Sequence, residues 1–245
     1  MHICGLQKTT LLDFPNRLAC TVFTPGCNFR CPFCYNRDMA LGSVDTPGIS
    51  EKDFFKFLKS RENVLDGVVI CGGEPTLQSD LLGFSKKVKD LGFEVKIDTN
   101  GSRPNILQTL LDENLLQYVS LDVKNVLEDK YYSKACGLED CKFLPMVKKS
   151  INLLLNSNIE FEFRTTVVPT IHDQESILKL ARQLGTIAES LGSLNTVNWV
   201  LQPFEPHNCL DSSFNEIEPF GKSEMQKFLA AAKKLLPNTK LRGVS

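Results

Sequence analysis

The chain has 245 residues, 42% of them hydrophobic and 23% charged, and its 28 basic and 29 acidic side chains nearly cancel. A chain of this size buries roughly 70–75% of its unfolded surface, so disorder, a coiled coil and a small disulfide-stapled fold are excluded. With a formal net charge of −1, no field of one sign draws in nucleic acid or an anionic membrane.

Residues 1–15 form an amino-terminal segment without the apolar stretch of a secretory signal, and no later run is long enough to span a membrane. A cytoplasmic chain with reduced thiols is therefore expected. Apolar runs at 18–24, 68–71, 94–98, 118–122, 160–168 and 197–203 read as strands. Amphipathic stretches at 51–60, 81–91, 104–115, 146–156, 174–184 and 223–236 read as helices between them. Ser50 and Ser223 are expected as helix caps, Pro104 in a first turn, and Gly92 as a stop. Six βα units in succession predict an α/β fold of parallel strands with outer helices, whose ligands lie at the carboxyl ends of the strands. Periodicity leaves an open sheet and a partial (βα)6 barrel as alternatives. One domain is expected over 1–245, with its core at about 16–205 and a loop and helix at 206–245. The irregular stretches 36–49, 125–144 and 206–222 are candidate lids or docking surfaces.

Nine cysteines cannot all pair with one another. Three of them, Cys27, Cys31 and Cys34, stand at C-x3-C-x2-C in the loop Gly26-Cys27-Asn28-Phe29-Arg30-Cys31-Pro32-Phe33-Cys34-Tyr35-Asn36. Three thiolates on one loop can serve one metal centre and leave a coordination position open, whereas four would close it. A structural zinc completed by a distant residue remains the alternative to an open iron–sulfur cluster. A ferredoxin run needs a fourth cysteine followed by proline, and none lies nearby. Cys136 and Cys141 make a poor second half of a zinc ribbon and are expected in a surface loop. Cys20 and Cys71 fall in apolar strands and are expected to be buried.

The next strand ends in Cys71-Gly72-Gly73-Glu74-Pro75. Its glycines permit close backbone approach, and Glu74 offers an acceptor to an ammonium group. Asp98-Thr99-Asn100-Gly101 follows the third strand, where a capped turn is the simpler explanation. Asp122 and Lys124 follow the fourth, where an exposed ion pair would contribute little. Arg164 stands inside an apolar run, an expensive place for a guanidinium unless it faces a carboxylate or a ligand.

The cysteine spacing, with Phe33 before the third cysteine, resembles the signature of radical S-adenosylmethionine (SAM) enzymes, and Gly72-Gly73-Glu74-Pro75 resembles their second motif. The resemblance implies a partial (βα)6 barrel in which Cys27, Cys31 and Cys34 hold a [4Fe-4S] cluster. Its open iron would chelate SAM, whose reductive cleavage yields a 5′-deoxyadenosyl radical. It implies that Phe33 lies against the adenine and that Gly72, Gly73, Glu74 and Pro75 receive the amino group. Asp98 and Asp122 would surround the cofactor, through a bound monovalent cation or directly; Lys124 would meet its carboxylate and Arg164 its ribose or carboxylate side. Residues 5–15 and the block from Arg164 to Pro169 are similar to the activating proteins of glycyl-radical enzymes, most of all to those of anaerobic ribonucleoside-triphosphate reductase in their compact form. That branch implies a glycyl-radical enzyme as protein substrate, contacted by Asp13, and a flavodoxin or ferredoxin as reductant. The chain departs from the branch at Tyr35, where histidine is usual, and at Pro203-Phe204-Glu205, where the formate-lyase activases carry Pro-Tyr-His. His207, two residues on, is not placed in the site. The rival readings are a radical SAM enzyme acting on a small molecule and a non-catalytic zinc-binding adaptor.

Overall fold

A computed structural model describes residues 1–43, 45–140 and 142–244. Cys141, paired above with Cys136, lies outside the described residues. In chain order the elements are β1 (Gly5–Thr10), β2 (Ala19–Thr24), α1 (Arg37–Leu41), α2 (Glu51–Lys59), β3 (Gly67–Gly72), α3 (Leu81–Asp90), β4 (Glu94–Thr99) and α4 (Pro104–Asp112). They continue as β5 (Tyr118–Asp122), α5 (Asp129–Cys136), α6 (Leu144–Leu155), β6 (Glu160–Val167), α7 (Gln174–Ser190), β7 (Trp199–Pro203), α8 (Lys222–Lys233) and β8 (Lys240–Leu241). In the first unit β1 to β4 hydrogen-bond in sequence order, and in the second β6 to β8 do the same. Pairing is parallel from β2 to β4 and from β6 to β8, while β1 runs antiparallel to β2. The six expected strands are β2 to β7, and the α/β class is borne out.

The chain packs as two compact units. The first comprises Met1–Asn28, Asp38–Thr99 and Asn105–Ser120, and the second Phe29–Arg37, Asn100–Pro104 and Leu121–Ser245. In the first unit Val68, Val69 and Ile70 are fully buried. Burial on both faces is why this strand reads as an unbroken apolar run. Phe14, Ala19, Val69 and Tyr118 form a core cluster in which the rings of Phe14 and Tyr118 meet edge to face at 6.1 Å. In the second unit the buried Trp199 donates its Nε1–H to Thr165 Oγ1 at 3.0 Å. Arg242, just past β8, grips the buried carboxylate of Glu162 with two hydrogen bonds of 2.9 and 2.7 Å.

Several expectations need correction. The strand β1 was not expected because Gln7, Lys8 and Thr9 are exposed and carry no apolar alternation. β8 is too short to leave a pattern. The irregular stretches contain α1, α5 and a 3₁₀ turn at Ser212–Glu216. Cys136 is not in a surface loop; it is fully buried at the end of α5, where Gly137 takes a left-handed cap at φ 64°. Cys71 is half-buried, because the last two residues of β3 emerge from the core, whereas Cys20 is buried as expected. Ser50 caps α2 by accepting from Asp53 N. Ser223 does not cap α8: the cap is Gly221, whose N–H donates to Glu224 Oε2 at 3.2 Å. Among the described residues no helix is long and apolar enough to cross a membrane.

Candidate functional site

In the first unit, the start of the cysteine loop is built onto the end of β3. Gly73 N donates to Thr24 O and Glu74 N to Gly26 O, both at 2.8 Å. A Cβ on Gly73 would stand 2.0 Å from Gly26 O, and one on Gly72 (φ 115°) 2.4 Å from Thr24 N and O. Only glycine permits this approach. Gly26 N and Cys27 N in turn donate to Met39 O and Ala40 O in α1, at 2.8 and 3.1 Å. Glu74 is almost fully buried and caps the 3₁₀ turn Pro75–Leu77. Its Oε1 accepts from Thr76 N at 3.1 Å, Thr76 Oγ1 at 2.5 Å and Thr99 Oγ1 at 2.7 Å. A buried carboxylate is tolerable only with such donors. Asp98 is ion-paired with the buried Lys96, whose ammonium also lies 5.7 Å from the centre of the Tyr118 ring. Asn100 and Gly101, which belong to the second unit, do form the expected turn, with Ser102 N donating to Asn100 Oδ1 at 2.9 Å and Gly101 at φ 73°. Asp13 accepts from Thr21 Oγ1 of β2 at 2.7 Å, beside the exposed Leu11 and Leu12.

In the second unit, Asp122 at the end of β5 is held between two cations. Arg164 Nε donates to its Oδ1 at 2.7 Å and Lys124 Nζ to its Oδ2 at 2.8 Å. All three side chains are mostly buried, so this is a network and not the exposed pair considered above. Arg164 faces a carboxylate, as its cost of burial required. Burial opposes ionisation of Asp122, but the charges of Arg164 and Lys124 outweigh it and hold the carboxyl below its usual range. Burial likewise disfavours the Lys124 ammonium, and Asp122, followed by Cys31, more than restores it. Asp122 is thus shared between two cations.

Cys31, Phe33 and Cys34 belong to this second unit, and Cys27 to the first. Cys31 and Phe33 are buried and Cys34 half-buried. Arg30 N donates to Cys136 O at 2.8 Å, which docks the loop on the end of α5. A hydrogen bond from Cys136 lowers the Cys31 thiol pKa against the effect of burial, with help from Lys124. Burial raises that of Cys34, and the charge of Cys31 adds to the rise. Leu210 N donates to Cys34 O and Asp211 N to Pro32 O, each at 3.0 Å, so the segment after β7 straps the loop. His207 lies with its ring 5.9 Å from that of Tyr35 and its Nδ1 3.8 Å from Glu205. Among the described residues no group of three or more His, Cys, Asp or Glu side chains is placed to hold a metal ion. The ligand role of the three cysteines is accordingly a proposal. Thr76, Thr99 and Lys96 were not expected in the site; of these only Thr99 lay in a motif that could have drawn attention to it.

The sequence model of the Radical SAM superfamily matches residues 21–183. The chain belongs to this superfamily and is an enzyme of the radical SAM class. It is 30% identical over 245 residues to a Methanocaldococcus jannaschii protein provisionally named a glycyl-radical enzyme activating enzyme, covering 99% of this chain and 96% of that one. It is 26% identical over 207 residues to pyruvate formate-lyase 1-activating enzyme of Escherichia coli K12, covering 80% of this chain and 78% of that one. Among solved structures it superposes on Streptococcus suis SuiB bound to S-adenosylmethionine with a TM-score of 0.66 at 14% identity, covering 91% of this chain and 52% of that one. This likeness concerns the fold alone, and with the family match it bears out the expected α/β radical SAM core.

Proposed function

We propose that this radical SAM enzyme activates a glycyl-radical enzyme, with anaerobic ribonucleotide reductase as the client and a flavodoxin or ferredoxin as the electron donor, in a cytoplasm of low oxygen. The observation that carries the reading is the nearly end-to-end match to the Methanocaldococcus jannaschii protein provisionally named a glycyl-radical enzyme activating enzyme. Cys27, Cys31 and Cys34 would hold a [4Fe-4S] cluster. The donor set fits it by its chemistry: three cysteines on one loop can supply thiolates, the metal-binding form, and the Cys31 thiol pKa is lowered from its ordinary value. Held there, such a cluster would supply the electron for reductive cleavage of SAM, the chemistry that hydrogen abstraction from a glycine of the client requires.

This chain's own residues bind and orient. Gly72 and Gly73 present backbone, Glu74 and Pro75 shape the end of β3, and Phe33 borders the adenine. The cationic heads of Lys124 and Arg164 suit the SAM carboxylate. A monovalent cation taken by Asp98 or Asp122 would compete with Lys96 in the first case and with Lys124 and Arg164 in the second. Asp13, anchored by Thr21, is the candidate contact for the client's glycine loop.

The test is electron paramagnetic resonance on the anaerobically reconstituted, reduced enzyme with SAM and a candidate reductase. A glycyl radical on the reductase is expected. Turnover of a small metabolite with no protein substrate would replace the activase reading. A preparation holding one tight zinc, no iron and no SAM cleavage would leave only a binding protein.

A further inference from the structure

The chain turns sharply after β6. Val168 O accepts from Ile171 N and His172 N, at 3.2 and 2.8 Å. Thr170, at the tip, has φ 71°, a left-handed conformation that a β-branched residue rarely adopts. The carbonyl of Thr170 is pinned by Lys134 Nζ at 2.6 Å.

This turn folds the His172 ring back against the strand end. Val168 N donates to His172 Nδ1 at 3.0 Å. An amide nitrogen brings its own hydrogen, so Nδ1 is the acceptor and the ring proton sits on Nε2. Nε2 lies 2.9 Å from Lys124 O, which can only accept. One neutral imidazole therefore ties the backbone after β6 to the backbone after β5. The ring is 4% exposed, and burial pushes its pKa down to about 4, so this tautomer persists through the neutral range. The N–H of Lys124 points at Tyr132 Oη at 3.4 Å, a longer and weaker tie.

We propose that His172 is a positioning residue for SAM binding: it fixes the Lys124 backbone so that the ammonium, beside the Arg164 guanidinium, is presented to the SAM carboxylate. This rests on the function proposed above and adds a residue to it. A space-filling histidine would need no particular polar atoms. Here the ring supplies an acceptor to one strand end and a donor to the next, and the chain adopts a disfavoured conformation at Thr170 to deliver it.

Two substitutions separate the two hydrogen bonds. The amide of His172→Gln reaches far enough to donate to Lys124 O. The shorter His172→Asn can accept from Val168 N but does not reach Lys124. The dissociation constant for SAM is measured by equilibrium dialysis on the anaerobically reconstituted enzyme, with Lys124→Met alongside and iron content and thermal melting recorded for each. The expected result is about tenfold weaker SAM binding for Asn and for Lys124→Met, with Gln within about threefold of wild type. Equal SAM affinity in wild type and both histidine variants, with Lys124→Met weakened, would reduce His172 to a structural role. Should the Asn variant not fold, a folded Gln variant that has lost SAM binding would also overturn the proposal. If Lys124→Met binds SAM as well as wild type, the assignment of the cation pair fails first and takes the role of His172 with it.

Discussion

Arg164 in β6 donates its Nε–H to Asp122 at the end of β5, 2.7 Å away, and Lys124 closes on the other carboxylate oxygen at 2.8 Å. Removing the anion leaves two mostly buried cations side by side. Asp122→Ala is expected to cost about 3 kcal/mol, a fall in melting temperature of about 6–12 °C. Asp122→Asn keeps the shape and an acceptor and should cost less. A thermal melt of both variants checks the order.

Gly73→Ala and Gly83→Ala test opposite ends of what a methyl group meets. At Gly73 the Cβ would collide with Gly26 O at 2.0 Å, so the start of the cysteine loop cannot stay docked. More than about 3 kcal/mol of stability should be lost, along with iron loading. At Gly83, inside α3, nothing lies within 4 Å of a Cβ. Alanine there should stabilise by up to about 1 kcal/mol in a urea titration.

Acid should weaken the protein in two steps. His172 falls from an ordinary 6.5 to about 4 on folding, so the unfolded chain binds its proton more readily. Its contribution is complete above pH 6.5 and is lost as the pH drops toward 4, by about 3 kcal/mol at most. Asp122, depressed from its ordinary 3.8, adds a second loss that starts near that pH and ends below it. Unfolding free energies measured from pH 7 to pH 3 should slope accordingly, and His172→Asn should flatten the first step.

Among the cysteines, alanine at Cys27, Cys31 or Cys34 should abolish SAM cleavage and sharply reduce bound iron. Cys20→Ala should keep both, because that thiol is buried in β2 with its pKa pushed up to about 12 and is not available to a metal. Comparable iron loss at Cys20 would show that the ligand set is misassigned.

The parts legible in the sequence are those where one residue's chemistry forces its surroundings. Arg164 in an apolar strand demanded an anion, and Asp122 supplies it. Gly72 and Gly73 announced a close backbone approach, and Thr24 and Gly26 respectively make it. Six strands were visible because their inward faces are continuous apolar runs. The antiparallel β1 was not, since Gln7, Lys8 and Thr9 point outward and break any alternation. Thr99 looked like part of an ordinary turn, and its hydroxyl becomes notable only once Glu74 lies 2.7 Å away. His172 carries no local pattern at all; its partners are 4 and 48 positions distant.

The grip of Arg242 on Glu162 spans 80 residues of sequence. During synthesis, β6 leaves the ribosome 80 residues ahead of the guanidinium that grips its buried carboxylate. Until Arg242 emerges, the strand that carries Arg164 lacks this tie. A pause in translation between the two would present chaperones and proteases with a second unit still short of it.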